Sequence, residues 1–245
     1  MLKIDLRYQW HTENTQSEEV FDAHYQTKLA PGITVLLGAS GEGKSTLLHL
    51  LGGFIRGRGS IRFLDNELSH LTPEQRPITT LFQNDNLFPQ LDVWQNVAIG
   101  LAPNLRLKKE ENDAVEWALE RTKVSFYRKK KPETLSGGQL QRVALARAVA
   151  RAAVDQIEKK RPILLLDEPF SALDPSLRMS MLELVSDLTK QLNLTTLLVS
   201  HLPNEIKQVN GELLLIDKGR IVLQAKTNVL HQAQLPDTLR DYLSL

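Results

Sequence analysis

Eight consecutive residues constrain this chain more than any others: Gly38, Ala39, Ser40, Gly41, Glu42, Gly43, Lys44 and Ser45. They fit the pattern G-x-x-x-x-G-K-[ST]. Residues 33–37, just before them, are almost all apolar and rich in branched side chains, which predicts a buried strand. Residues 45–51, just after, predict a helix with Leu47, Leu48, Leu50 and Leu51 on its buried side. A loop that leaves a buried strand and enters a helix gathers backbone N–H groups that lack an intrahelical partner. Those donors and the positive end of the helix dipole form an anion site. Glycines let the backbone curl around phosphate oxygens where a Cβ would stand in the way. Lys44 is placed to reach terminal phosphates, the hydroxyl of Ser45 to ligate Mg²⁺, and Thr46 to extend the same binding set.

The rest of the chain supplies layers around this core. Leu2, Ile4 and Leu6 alternate with Lys3, Asp5 and Arg7, the pattern of a half-buried strand. Residues 11–19 are polar and read as a surface loop or hairpin, and residues 21–29 as a second strand. Turns at Pro31-Gly32 and at residues 57–59 separate further short strands, so an antiparallel layer is expected early in the chain. Residues 78–82 predict a strand ending at Gln83, followed by a loop over 84–89 with exposed apolar side chains. Helices are expected over 93–101, 108–122 and 139–154. The apolar run 163–166, the helical spacing of Leu177, Met181, Leu184, Val185 and Leu188, and the strand 195–199 predict a right-handed βαβ unit in a parallel sheet. Residues 213–216 and 221–223 predict a hairpin at the sheet edge, and the tail 228–245 a helix.

Bulk properties narrow the function. With 245 residues, 42% hydrophobic and 24% charged, the chain is an ordinary soluble composition. A net charge of +1 leaves no overall electrostatic footprint for nucleic acid, and the basic run 128–131 reads as a solvated loop. Zero cysteines exclude disulfides and thiolate metal sites and fit the cytosol. No apolar run approaches the roughly 18 residues that span a bilayer, and the N-terminus lacks a signal-peptide pattern. A role at a membrane therefore requires something else to hold the chain there.

Two further motifs carry chemistry. Residues 163–166 place Asp167 and Glu168 at the C-terminal edge of a central strand, where open α/β sheets bind ligands. Asp167 suits Mg²⁺, directly or through water, and Glu168 suits orienting or deprotonating an attacking water. Leu135-Ser136-Gly137-Gly138-Gln139 opens the long helix and is a second Gly-rich helix start. One triphosphate cannot easily use both cradles of one chain, because a helical layer separates them. A head-to-tail dimer resolves this, with Ser136, Gly137, Gly138 and Gln139 covering a nucleotide held on the partner. The alternative is a helix cap with a flexible lead-in.

Taken together, residues 38–45, the Leu-Ser-Gly-Gly-Gln run, and Asp167-Glu168 followed by Ser171-Ala172-Leu173-Asp174 resemble the nucleotide-binding subunits of ABC transporters over nearly the whole chain. The resemblance implies an α/β P-loop NTPase with an antiparallel β layer, forming one domain over 1–245 with a helical subdomain inserted at about 84–157. It implies ATP and Mg²⁺ as ligands, and ATP hydrolysis with Lys44, Glu168 and His201 as catalytic residues. By the same carry-over Gln83 touches Mg²⁺ beside Ser45 and Asp167, His201 contacts the γ-phosphate, and Asp174 meets the dimer partner. Tyr8 and Trp10 are the candidates to stack on adenine, or are simply packing.

Gln75-Arg76-Pro77, residues 81–89, Gln95-Asn96-Val97 and the stretch 162–178 look like bacterial importers. That implies integral membrane permease partners, a periplasmic solute-binding protein beyond them, no nucleic acid, and a location on the cytoplasmic face of the membrane. Leu87, Phe88 and Leu91 are the expected apolar contacts to the permease. The short length, with Gln75-Arg76-Pro77 and residues 84–88, is similar to thiamine-importer ATPases. Importers of iron, polyamine or sulfate, and soluble ABC ATPases, are the alternatives. The chain departs from the family at Ala39, at Glu42 (expected to point away from the phosphates), at Leu140, in the long segment 7–29, and in an insertion near 152–160.

Overall fold

A computed structural model describes residues 1–11, 20–82, 87–157, 163–171, 173–200, 206–232 and 235–243. The chain divides into two compact units, residues 1–78 with 195–245, and residues 79–194.

In the first unit, β1 (Leu2–His11) pairs antiparallel with β2 (Val20–Leu29) along its whole length, from Leu2↔Leu29 to His11↔Val20. This pairing carries β1 four residues beyond the expected alternation, through Tyr8 and Trp10. Leu2, Ile4 and Leu6 are buried while Lys3, Asp5 and Arg7 are exposed, as a period of two requires. On its other side β1 pairs with β4 (Arg58–Phe63), and β4 with β5 (Asn66–Glu67), all antiparallel. This is the expected antiparallel layer.

The core strand β3 (Gly32–Leu37) runs parallel to both neighbours, β8 (Thr195–Val199) and β9 (Glu212–Asp217). Its last five residues are buried, and so is all of β8. That explains their nearly continuous apolar sequences. The hairpin expected at a sheet edge lies inside the sheet instead. β10 (Arg220–Lys226) pairs antiparallel with β9 and meets β2 at Arg220↔His24, giving the order β5-β4-β1-β2-β10-β9-β3-β8. The alternating, largely polar sequence of β10 resembles an edge strand, but β2 uses its free side. Helix α1 (Lys44–Gly52) follows β3. The tail is not one helix. A 3₁₀ segment, Thr227–His231, precedes a short α6 (Asp237–Leu243), and Pro236 keeps Leu235 out of the helical region.

The second unit holds β6 (Ile78–Leu81) beside β7 (Ile163–Asp167), with helices α2 (Val93–Ala98), α3 (Lys109–Arg121), α4 (Gly137–Ile157) and α5 (Pro175–Gln191). Helix α4 packs on α2, α3 and α5. Helix α2 starts at a capping box. Asp92 accepts from the Gln95 N–H at 2.7 Å, and Gln95 accepts from the Asp92 N–H at 2.9 Å. It stops three residues earlier than expected, because Gly100 and Leu101 donate to carbonyls only three residues back.

Asn96, fully buried, shapes the segment before α2. It accepts from the Phe88 N–H at 2.8 Å and donates to the carbonyls of Phe88, Leu91 and Asp92. The expected exposed apolar loop is therefore only partly exposed: Phe88 faces solvent, but Leu87 is buried and Leu91 half-buried. No helix among the described residues is long and apolar enough to cross a membrane.

Candidate functional site

The phosphate-binding loop takes the shape its sequence predicts. Gly38, Gly41 and Gly43 have φ of 153°, 87° and 98°, values that L side chains rarely adopt. A Cβ on Gly43 would also collide with the Tyr25 hydroxyl, and one on Gly38 would lie 2.6 Å from the Ile216 carbonyl oxygen. Gly43 is the N-cap of α1, and no side chain caps that helix start. Lys44 is buried, and its Nζ donates to the carbonyls of Gly38 at 2.8 Å and Ala39 at 2.7 Å. The ammonium thus sits within the curl of the loop. Ser45 is exposed and Thr46 half-buried at the first turn.

Donors dominate this cradle: amides at a helix start, an ammonium and two hydroxyls. The one carboxylate within it, Glu42, is turned aside. It accepts from the Lys218 N–H, and its backbone carbonyl accepts from the Gly219 N–H at 3.0 Å. A glycine-lined cradle with this donor set fits the phosphates of a nucleotide.

Aromatic side chains support the loop from the inward face of the antiparallel layer. The Tyr25 hydroxyl donates to the Gly43 carbonyl at 2.8 Å. Burial pushes the Tyr25 phenol pKa upward, against a smaller lowering by its hydrogen bond with Thr46, so the group stays a donor. Phe21 lies 3.3 Å from where a Gly43 Cβ would be, and Trp10 stacks on Phe21 with centroids 3.8 Å apart. Tyr8 is tilted against Trp10 at 5.7 Å. Of the two candidates for adenine stacking, Trp10 is therefore the one packed directly on the residue that touches the loop.

In the second unit, β7 ends as predicted, with residues 163–166 buried and Asp167 and Glu168 half-buried at the strand end. Glu168 has φ +46°, the left-handed region, in a non-glycine residue. The turn after it is tied down. Its carbonyl accepts from the Ser171 N–H and hydroxyl at 3.3 and 3.2 Å. Arg178 donates to the Phe170 carbonyl at 3.2 Å and to the Leu173 carbonyl at 2.7 Å. Asp174 caps α5, accepting from the Leu177 N–H at 3.0 Å.

Ser136 and Gln139 form a capping box at the start of α4. Gln139 accepts from the Ser136 N–H at 2.9 Å and donates its own N–H to the Ser136 hydroxyl at 3.4 Å. Gly138 is buried, and a Cβ there would strike Leu177 of α5. Gly137 is exposed, and among the described residues no atom lies within 4 Å of where its Cβ would be. Gln83 and His201 lie outside the described residues.

The sequence reading gave no structural role to Tyr25, Phe21 or Arg76, although Arg76 belongs to one of its motifs. The buried Arg76 guanidinium donates to the carbonyls of Leu50 and Leu51 at 2.8 and 2.6 Å, and to those of Leu71 and Ser69. It closes the C-terminal end of α1 with positive charge, where the helix dipole favours it. The inward register of β2 was the available signal for Tyr25; the Gln75-Arg76-Pro77 motif marked Arg76 but not its contact with α1.

Comparison with known proteins gives a consistent result. The family model described as ABC transporter matches residues 25–171. The thiamine import ATP-binding protein ThiQ of Brucella suis is 40% identical over 222 residues, covering 90% of this chain and 89% of that one. The chain superposes with a TM-score of 0.74 on the ATP-binding cassette MJ0796 in a dimeric post-hydrolysis state bound to ADP and Pi. That match is 25% identical and covers 93% of this chain and 99% of that one. It superposes equally, at 26% identity and covering 94% and 90%, on cbiO1 from Clostridium perfringens, part of the ABC transporter complex cbiONQ. The glycine-lined cradle, the Asp167-Glu168 strand end and these matches lead to one conclusion: the chain belongs to the ABC transporter family, as an ATP-binding and ATP-hydrolysing subunit.

Proposed function

We propose that this subunit energises thiamine uptake, as one half of an ATPase dimer docked on permease subunits at the cytoplasmic face of the membrane. Identity of 40% to a thiamine import protein over 90% of the chain carries the choice of solute. In this reading the α1 amides, Lys44, Ser45 and Thr46 hold the phosphates of ATP, and Trp10 or Tyr8 stacks on adenine. Ser45, Asp167 and Gln83 would hold Mg²⁺, which would supply neutralisation of charge on the phosphate oxygens. Glu168 orients the attacking water and takes its proton, and His201 contacts the γ-phosphate. Fixed donors aimed at the developing charge supply most of the barrier lowering.

Ser136, Gly137, Gly138 and Gln139 close over the nucleotide of a second copy, with Asp174 at the shared interface. The open space at Gly137 supports this reading, because no contact among the described residues requires a glycine there. The helical segment at about 84–157 carries the permease contact, with Phe88 as one of its exposed apolar side chains and Phe126 as another. A periplasmic binding protein delivers the solute.

Uptake of labelled thiamine by intact cells tests the solute. Deleting the gene abolishes uptake, and the wild-type chain restores it where Glu168→Gln does not. Unchanged thiamine uptake with loss of iron, polyamine or sulfate uptake would overturn the choice.

A further inference from the structure

The outward face of the antiparallel layer holds a row of three arginines and a histidine that the phosphate chemistry does not use. Register places Arg58 of β4 opposite Arg7 of β1, Arg7 opposite His24 of β2, and His24 opposite Arg220 of β10. Strands about 4.8 Å apart make this a row about 14 Å long. Like charges directly across a ladder destabilise a sheet, so the fold gains nothing from the arrangement. Arg7, Arg58 and Arg220 are exposed, and Arg56 joins them in lining a groove of about 990 Å³.

Two carboxylates also line the groove, and both are engaged. Asp5 is 3.0 Å from His24, and Asp22 accepts from Gln9 at 3.1 Å. Among the described residues, none of the four arginines forms an ion pair. Tyr8, one of the two adenine candidates, also lines the groove, but no residue of 38–46 does, so the groove does not include the phosphate-binding loop.

We infer that this groove binds a small anion carrying two or more phosphate charges. Guanidinium groups recognise phosphate through paired N–H donors. A single orthophosphate engages two of them, whereas the four arginines lining the groove offer enough paired donors for more than one phosphate of a linear di- or triphosphate. A flat anionic surface fits less well. The next row along the strands is Ser60, Asp5 and Gln26, and it interrupts the positive field before Arg62, Lys3 and Lys28 resume it. The groove is thus a bounded patch of charge.

The test uses inorganic pyrophosphate and the full chain. Lys44→Ala first weakens the phosphate-binding loop, and calorimetric titration then compares that variant with one also carrying Arg7→Gln and Arg58→Gln. Pyrophosphate binds the first, and its dissociation constant rises at least about tenfold in the second, the scale of losing one charge-assisted contact. Equal affinity in the two chains, or no binding to Lys44→Ala, overturns the site. If the triple variant fails to fold, Arg220→Gln on a different strand gives the same readout. A final arm uses sedimentation with phosphatidylglycerol vesicles. Vesicle binding that depends on Arg7 and Arg58, without affinity for pyrophosphate, would assign the row to a lipid surface and overturn the soluble ligand.

Discussion

Glu168 holds a backbone conformation that costs an L residue about 1–2 kcal/mol. The cost is tolerated because Ser171 and Arg178 fix the turn that follows. Removing the side chain should therefore rank substitutions in an unusual order. Glu168→Gly should be more stable than Glu168→Ala by about 1 kcal/mol in urea unfolding, the reverse of their order in a helix. Equal stability would mean that the strain is absent. A second carboxylate carries a pH signature. Burial pushes Glu67 up, but hydrogen bonds from the Ser69 hydroxyl, the N–H groups of Ser69 and Ile61, and Arg62 outweigh it and hold the pKa at about 2, below its ordinary 4.5. A depressed carboxylate stabilises the fold above its unfolded pKa and loses that stabilisation as pH falls through the folded one. Glu67→Gln should thus be less stable than wild type at neutral pH. The gap should shrink between about pH 4.5 and 2, as followed by thermal unfolding. A gap that does not change with pH would remove the ionised hydrogen bonds as its cause.

At the scale of elements, α1 is held at both ends by groups distant in sequence: Tyr25 under its first turn and Arg76 on its last carbonyls. Arg76→Ala leaves buried carbonyls without their charged donor, and should cost about 2–4 kcal/mol in chemical unfolding. Arg76→Lys should recover little, since one ammonium cannot span four carbonyls. A cost below 1 kcal/mol would show that water replaces the guanidinium. These supports also mark where the sequence was legible. The strand, glycines and helix around Lys44 were plain, because each obeys a local rule. So were the apolar end of β7 and the start of the long helix near Ser136; the capping box that closes that start was not read from the sequence. The inward placement of β10 was not legible, since its pairing with β2 is a long-range event that no local pattern records. Nor was the burial of Leu87, which depends on a loop gathered by Asn96. Asp174 was assigned from family resemblance to a partner contact, and its hydrogen bond to Leu177 adds a role within its own chain.

For the whole molecule, the proposed dimer makes a prediction that no single chain can satisfy. Ser136→Arg should bind ATP yet lose hydrolysis, because the defect falls on the partner's nucleotide. Lys44→Ala should fail at its own. Mixing the two should restore part of the activity, since one composite site then draws both intact halves; phosphate release that stays at background on mixing would count against a shared site. Another consequence lies in the order in which the chain is made. β3 is flanked by β8 and β9, and the carboxylate of Glu42 is grasped by Lys218, 176 positions later. At about 5–20 residues per second, a ribosome needs roughly 10–35 s to travel that distance. Throughout that interval the emerging polypeptide carries Lys44 without the strands and turn that give its surroundings their form. The loop around Lys44 therefore takes its final form only near the close of translation, once β8, β9 and the turn at Lys218 have emerged.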